Sequence, residues 1–346
     1  MKKLIFAAFA AGAMVLAGCT KVEVKDVPEN RAIGFDNFVS NSVKSIDQNS
    51  DLTKFYVYGG VNEDSDLKTL FENQEMTVSW SSDDATVDYS PLRYWTANKT
   101  YQFAAYSNDN EVLNSGVNIN YDASKKAYLT INYTTDGTKD LVYAQSANNS
   151  YTYTAGDGDI VNFDFYHILS NVSFKFSKDA TLDDIDVEIK ELQISSISTN
   201  GTFIGSGEAI NTQYEYNTWE NQGTPGAQII KFTTPKIETN SGNTTSTPVY
   251  LIPQAAGNSN ASLLKITFTL TPTADVPTGL VEKKFEVNLP ATADNRWNPG
   301  YSYIYAATIS AETFEAKPIV FDVTSVNTWS ETTPDVDITD DITITE

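Results

Sequence analysis

The chain holds one histidine and one cysteine among 346 residues, against 45 acidic side chains. That inventory decides most of the chemistry available to it. A serine or cysteine nucleophile needs a base, and His167 is the sole imidazole. It sits in the apolar run Tyr166-His167-Ile168-Leu169 with no Gly-x-Ser-x-Gly elbow anywhere, so it reads as a core or boundary histidine hydrogen-bonded to backbone. One His and one Cys rule out multi-His metal sites, Cys-based zinc or iron–sulfur sites and a disulfide framework. Asn62-Glu63-Asp64-Ser65-Asp66 begins like a calcium loop, but Leu67 stands where the loop needs glycine and Asn73 where it needs a bidentate glutamate. An acidic hairpin tip explains that segment better. Paired carboxylates could serve glycoside cleavage, yet nothing in the spacing marks a particular pair. No Gly-rich phosphate loop follows a strand and opens a helix. The reading is a protein without catalysis, cofactor or metal. Lys and Arg number 23, so the formal net charge is −22, which disfavours any nucleic-acid partner.

The cysteine points elsewhere. Lys2 and Lys3 precede an apolar run from Leu4 to Val15, too short to span ~30 Å of hydrocarbon and typical of a signal peptide. The run closes on Leu16-Ala17-Gly18-Cys19, which resembles the bacterial lipobox, so residues 1–18 read as a lipoprotein signal peptide and Cys19 as the lipidated residue. Two or three acyl chains on Cys19 give stable anchoring, where one chain binds only marginally. Thr20 rather than Asp follows, and the resemblance then implies delivery to the outer membrane. The mature chain would carry 21 basic and 45 acidic residues, a balance of −24, which keeps a surface protein soluble.

The elements that position these residues are strands. Aromatics make up 12% of the chain, and the abundant Thr, Ser and Asn with them favour half-buried pleated surfaces. Short apolar runs alternate with Asn, Gly, Asp and Ser clusters at sandwich-like intervals. Lys54–Tyr58 ends at Gly59-Gly60, and Leu129 and Ile131 share one face of a strand over Ala127–Tyr133. Trp297-Asn298-Pro299-Gly300 is a turn ahead of Tyr301, Tyr303 and Tyr305, which share a face. Leu67, Leu70 and Phe71 stand at helical spacing, one of few helix candidates, and Glu238–Thr247 reads as an exposed loop. The expected fold is all-β, two sandwiches, with a boundary near residue 165: 32–165 as the N-terminal and 166–346 as the C-terminal domain.

Both ends of this frame carry unusual segments. Residues 19–31 hold a weak strand at Val22 and Val24, closed by Pro28. At the other end Val336, Ile338, Ile342 and Ile344 fall at even positions between acids and threonines, interrupted only by Asp340. This is either a last strand docked on its own domain or one offered to a neighbour by β-augmentation.

The order of motifs resembles the fimbrillins of the type V pilus, the Mfa-like group of fimbrillin-like lipoproteins. The segments that carry the resemblance are the lipobox, Arg31–Phe35, Tyr89–Trp95 (YSPLRYW), Tyr101–Tyr106, Asp140–Ala144, Phe165–Val172, Leu251–Gln254, Trp297–Tyr305, and Val326–Trp329 with the acidic tail. The resemblance implies two tandem transthyretin-like β-sandwich domains and a precursor anchored to the outer membrane through Cys19. It also implies trypsin-like cleavage at Arg31, release of the first strand, and filling of the vacated groove by a donor strand of about residues 335–345. The implied function is a structural subunit of a fimbria serving cell adhesion, with other pilin subunits, self or paralogous, as partners. The alternatives are a tip or accessory pilin, which binds a host glycan or protein, and a surface glycan-binding lipoprotein.

Overall fold

The computed structural model describes residues 32–326 except 39–51, 64–65, 82–83, 97–98, 122–126, 147–150, 153–159, 206–217, 221, 224, 232, 240–241, 258–263, 274–275, 277–278 and 316–317. The first part of the chain forms β1 (Gly34–Phe38), β2 (Lys54–Glu63), β3 (Asp66–Ser81), β4 (Asp84–Asp88), β5 (Thr100–Asn108), β6 (Val117–Tyr121), β7 (Ala127–Thr134), β8 (Leu141–Gln145), β9 (Tyr151–Thr152), β10 (Ile160–Asp164) and β11 (Tyr166–His167). Then follow β12 (Ser170–Lys178), β13 (Asp186–Ile197), β14 (Asn200–Ile204), β15 (Thr218–Glu220), β16 (Gly226–Ile229), β17 (Lys236–Ile237), β18 (Asn243–Thr245), β19 (Val249–Leu251), β20 (Lys265–Thr273), β21 (Lys283–Asn288), β22 (Ser302–Ile309), the five-residue helix α1 (Ala311–Glu315) and β23 (Asp322–Val326). The fold is all-β, as expected.

The central sheet of the first part runs β11-β8-β5-β2-β3-β4, with β9 added beside β5. Its middle strands are buried on both faces: β5 exposes almost nothing beyond Thr100. On one face Phe55, Val57, Phe103 and Ala105 pack with Phe35 and Phe163 from β1 and β10, which pair in parallel from Gly34↔Ile160 to Phe38↔Asp164. On the other face Tyr56, Tyr58, Tyr106 and Tyr143 pack with Leu129, Ile131 and Phe203. Those residues belong to a third sheet ordered β15-β14-β7-β6. Its β7–β14 register, Asn200↔Thr134 to Ile204↔Thr130, joins strands from either side of residue 165. The expected boundary is therefore a division of the chain that this sheet bridges.

Two further sheets enclose the core of the second part, β18 and β19 with β12-β22-β23, and β16 and β17 with β13-β20-β21. Phe174, Phe176, Phe268, Tyr305 and Phe321 interlock between them, and Trp297 donates its indole N–H to Tyr305 Oη at 3.0 Å. Gly300 lies at φ +72° in the turn ahead of β22, and Tyr303 and Tyr305 are buried on one face while Tyr301 packs on the same core.

Three local expectations fail for physical reasons. Asp66–Asn73 is the first half of β3, because pairing with β2 (Gly59↔Phe71, Val61↔Lys68) outweighs an i, i+3 coincidence of apolar residues. Gly59 and Gly60 do not end a strand; β2 passes through them with register shifts on both sides of Gly59. A Cβ on Gly59 would lie 2.4 Å from Phe103 Cδ1, and one on Gly60 would lie 2.2 Å from Tyr121 Oη. The glycines thus make room for aromatic rings from β5 and β6. Glu238–Thr247 is no plain exposed loop, since Asn243–Thr245 forms β18, Thr244 and Ser246 are buried, and Ser246 Oγ accepts the Phe174 N–H at 3.0 Å. Glu63↔Asp66, by contrast, closes the expected hairpin.

Candidate assembly site

The residues that follow Arg31 enter the fold at once. Ala32 bridges to Tyr94, and the Ile33 N–H donates to the Arg93 carbonyl at 2.9 Å. Ile33 is fully buried, and Phe35 meets Phe71, Tyr89, Phe103 and Phe163 at ring-centroid distances of 5.4–5.9 Å. Three of these contacts are edge-to-face and that with Phe163 is stacked, both favourable geometries. The partner of this entry is the segment Tyr89–Trp95. Tyr89 Oη donates to the Ile33 carbonyl at 2.8 Å and accepts the Arg93 N–H at 3.2 Å. Burial raises the Tyr89 hydroxyl pKa, keeping it a donor. Leu92, Tyr94 and Ile160, the residue opposite Gly34, stay exposed around this entry. In the sequence Tyr89–Trp95 is a family motif without an assigned role; the aromatic residues flanking Ser90-Pro91 are the signal that points to it.

At the other end of the described chain, β23 pairs antiparallel with β22 from Ser302↔Val326 to Ala306↔Asp322. Among the described residues no strand lies on its outer side.

His167 pairs through Nδ1 with the Asp140 carboxylate. Its strand β11 aligns His167 with Val142 on β8, two residues beyond Asp140, and His167 is 6% exposed. The pair ties two neighbouring segments of one sheet. Among the described residues no group of His, Cys, Asp and Glu could hold a metal, and no helix is long and apolar enough to cross a membrane. Cys19, Arg31, Val336, Ile338, Ile342 and Ile344 lie outside the described residues.

The fold is an all-β stack of sheets with a strand entry sealed by aromatics, and sequence comparison places the chain in a class. A fimbrillin-like family model matches residues 42–329, and the chain belongs to that family. It is accordingly a fimbrial or adhesion subunit of the cell surface and a structural protein rather than an enzyme. Among curated proteins no sequence matches it. Similar solved structures include a "putative cell adhesion protein" from Bacteroides uniformis, with TM-score 0.49, 15% identity, and coverage of 86% of this chain and 98% of that one. The fimbrial anchor protein Mfa2 from Porphyromonas gingivalis has TM-score 0.36 and 11% identity, covering 86% of this chain and 97% of its own. The tip fimbrial protein Mfa3 from the same organism, with C-terminal truncation, has TM-score 0.38 and 9% identity, covering 80% and 95%.

Proposed function

We propose that this chain is a structural shaft subunit of a type V fimbria, exported as a lipidated precursor and assembled by strand exchange. Residues 1–18 direct export and Cys19 carries the lipid that holds the precursor in the outer membrane. Cleavage after Arg31 removes the Val22/Val24 segment, and residues 335–345 of a neighbouring subunit, through Val336, Ile338, Ile342 and Ile344, fill the place it leaves. Two tandem transthyretin-like sandwiches divided near residue 165 form the body, and other pilin subunits are the partners.

One observation carries the reading. The chain is seated in the core from Ile33 onward and hydrogen-bonded from its first described residues, so a cut after Arg31 would separate what precedes it from a finished fold. The alternating C-terminal segment supplies the replacement strand.

The test is assembly in cells. Arg31→Ala should leave an uncut precursor and remove shafts seen by electron microscopy, and Cys19→Ala should abolish acylation and partitioning with outer membranes. Normal shafts on Arg31→Ala cells would refute the processing step, and unchanged membrane partitioning of Cys19→Ala would refute the anchor.

A further inference from the structure

We infer that the seam between β21 and β23 is a docking groove for residues 335–345 of the same chain, where the strand is parked before assembly. This rests on the reading of those residues as a donor strand.

The core of the second part is closed unevenly. β20 and β22 each bury several side chains completely, whereas β21 buries none: Lys283, Phe285 and Val287 on its inner side are all only half-buried. Phe285 stacks on Phe268 at 5.4 Å, and Phe321, the residue before β23, meets the same Phe268 at 6.2 Å. β21 and β23 therefore flank one side of the core. The opposite side, where β17 and β18 lie, is lined by fully buried Ile237 and well-buried Thr244. On the open side Leu280, Phe285, Val287 and Val323 pack against the core without being sealed. Both strands are the last of their sheets among the described residues. An edge of this kind, with unpaired backbone groups beside exposed apolar surface, is a template for another strand.

The occupant is argued from the chain itself. The backbone leaves β23 at Val326, on the open edge, and the alternating segment begins at Asp335. The eight intervening residues, 327–334, can span about 26–29 Å when extended, while neighbouring strands lie only about 4.8 Å apart. The connection is ample for an antiparallel return, and Pro334 just before the strand is well placed in the linker. Val336, Ile338, Ile342 and Ile344 then face the half-buried Phe285, Val287 and Val323. Asp340, the one acid on that face, has Lys283 on the inner side of the seam, and the acids at 335, 337 and 341 find Lys284 at its rim. The arrangement hides an aggregation-prone edge in the free subunit while holding the donor strand by few bonds, ready to leave when a neighbour offers a better groove.

The test uses the full-length chain with Cys19→Ala, so that no native thiol remains. Amide exchange is compared with that of a truncation after Thr333 and of Ile338→Asp. Both changes should speed exchange at the outward amides of Asp322–Val326 at least tenfold in the monomer. In parallel, Asp322→Cys with Thr339→Cys in the same background, joined by a short bismaleimide, should give an intramolecular product at low protein concentration. Unchanged exchange in both variants, or products that are only intermolecular, would overturn the docking. Loss of multimers with unchanged monomer exchange would uphold the donor role and sink the parking site alone, whereas the converse result would do the opposite.

Discussion

The hydroxyl of Tyr89 closes over the carbonyl of Ile33 at 2.8 Å, pinning the first buried residue among those described to a loop more than fifty positions away. The same oxygen accepts the Arg93 N–H, whose own carbonyl receives the Ile33 N–H at 2.9 Å. Two backbone groups of Ile33 and two of Arg93 are thus satisfied around one phenol. Tyr89→Phe keeps the ring against Phe35 and Phe71 but removes the oxygen. The expected loss is about 1 kcal/mol of stability, raised if the orphaned carbonyl stays dry. Urea unfolding followed by tryptophan fluorescence reads it, since Trp95 lies in the same cluster.

Gly59 gives a sharper test of packing. An alanine there would place its methyl 2.4 Å from Phe103 Cδ1, and Phe103 is itself held among Phe35, Phe71 and Trp95. The ring has no free direction, so Gly59→Ala should destabilise the chain by about 1–3 kcal/mol. A second change, Phe103→Leu, should recover part of that loss in thermal melts of the double variant.

Asp186 sets an acid limit for the second part. Its carboxylate is paired with Lys236 and accepts the Thr239 N–H at 2.7 Å and the Thr239 hydroxyl at 2.8 Å. These contacts hold its pKa at about 2, below the ordinary aspartate value near 3.8. The folded state favours the charged form, so the stabilisation is fully present above the unfolded pKa. It is lost as pH falls from about 4 through 2. Urea midpoints of the native chain should drop across that window, and Asp186→Asn should be lower at pH 6 with a flatter acid profile.

Much of this fold was legible from pattern. The alternation over Ala127–Tyr133 placed Leu129 and Ile131 inward, and the Trp297–Gly300 turn with its following tyrosines stands as read. What escaped the sequence is the burial of β2 and β5 on both faces. A strand with two covered faces has no period-2 signature. Lys54–Tyr58 therefore looked like a short run ended by glycines, when those glycines admit rings from other strands. The β7–β14 pairing across residue 165 was equally invisible, since contacts between distant strands leave no local mark. The entry site was half legible: Arg31–Phe35 and Tyr89–Trp95 stood out as motif segments, but nothing in the sequence joined Tyr89 and Tyr94 to Ile33 and Ala32.

His167 and Asp140 should prove structural partners. His167→Ala leaves a largely buried carboxylate without its imidazole, costing about 1–3 kcal/mol. The double variant with Asp140→Ala should lose less than the sum of the two single changes, as expected of groups in direct contact. Equilibrium unfolding of the four chains measures the coupling. Any hydrolytic activity abolished with the imidazole would contradict the structural assignment.

The last prediction concerns the cut at Arg31. Protease subsites grip several residues on either side of the scissile bond, so cleavage after Arg31 requires Ala32 and Ile33 to leave their places. Ala32 would have to give up its bridge to Tyr94, and Ile33 its N–H bond to Arg93 and its carbonyl bond to Tyr89. Phe35 need not move, because its aromatic neighbours hold it two residues further on. Cutting should therefore follow a local opening of the first two or three described residues rather than global unfolding. When opening is fast relative to cleavage, the cutting rate scales with the open population. Loosening the seat by about 1 kcal/mol should then raise the rate about fivefold. Tyr89→Phe should accelerate mild trypsin cleavage by that factor while the product still begins at Ala32. Ile33→Ala should accelerate it further, since the side chain that anchors the segment is fully buried. N-terminal sequencing of time points gives both the site and the rate. If trypsin cuts first within the body, for example after the exposed Lys231, or if Tyr89→Phe leaves the rate at Arg31 unchanged, the aromatic seat does not govern processing.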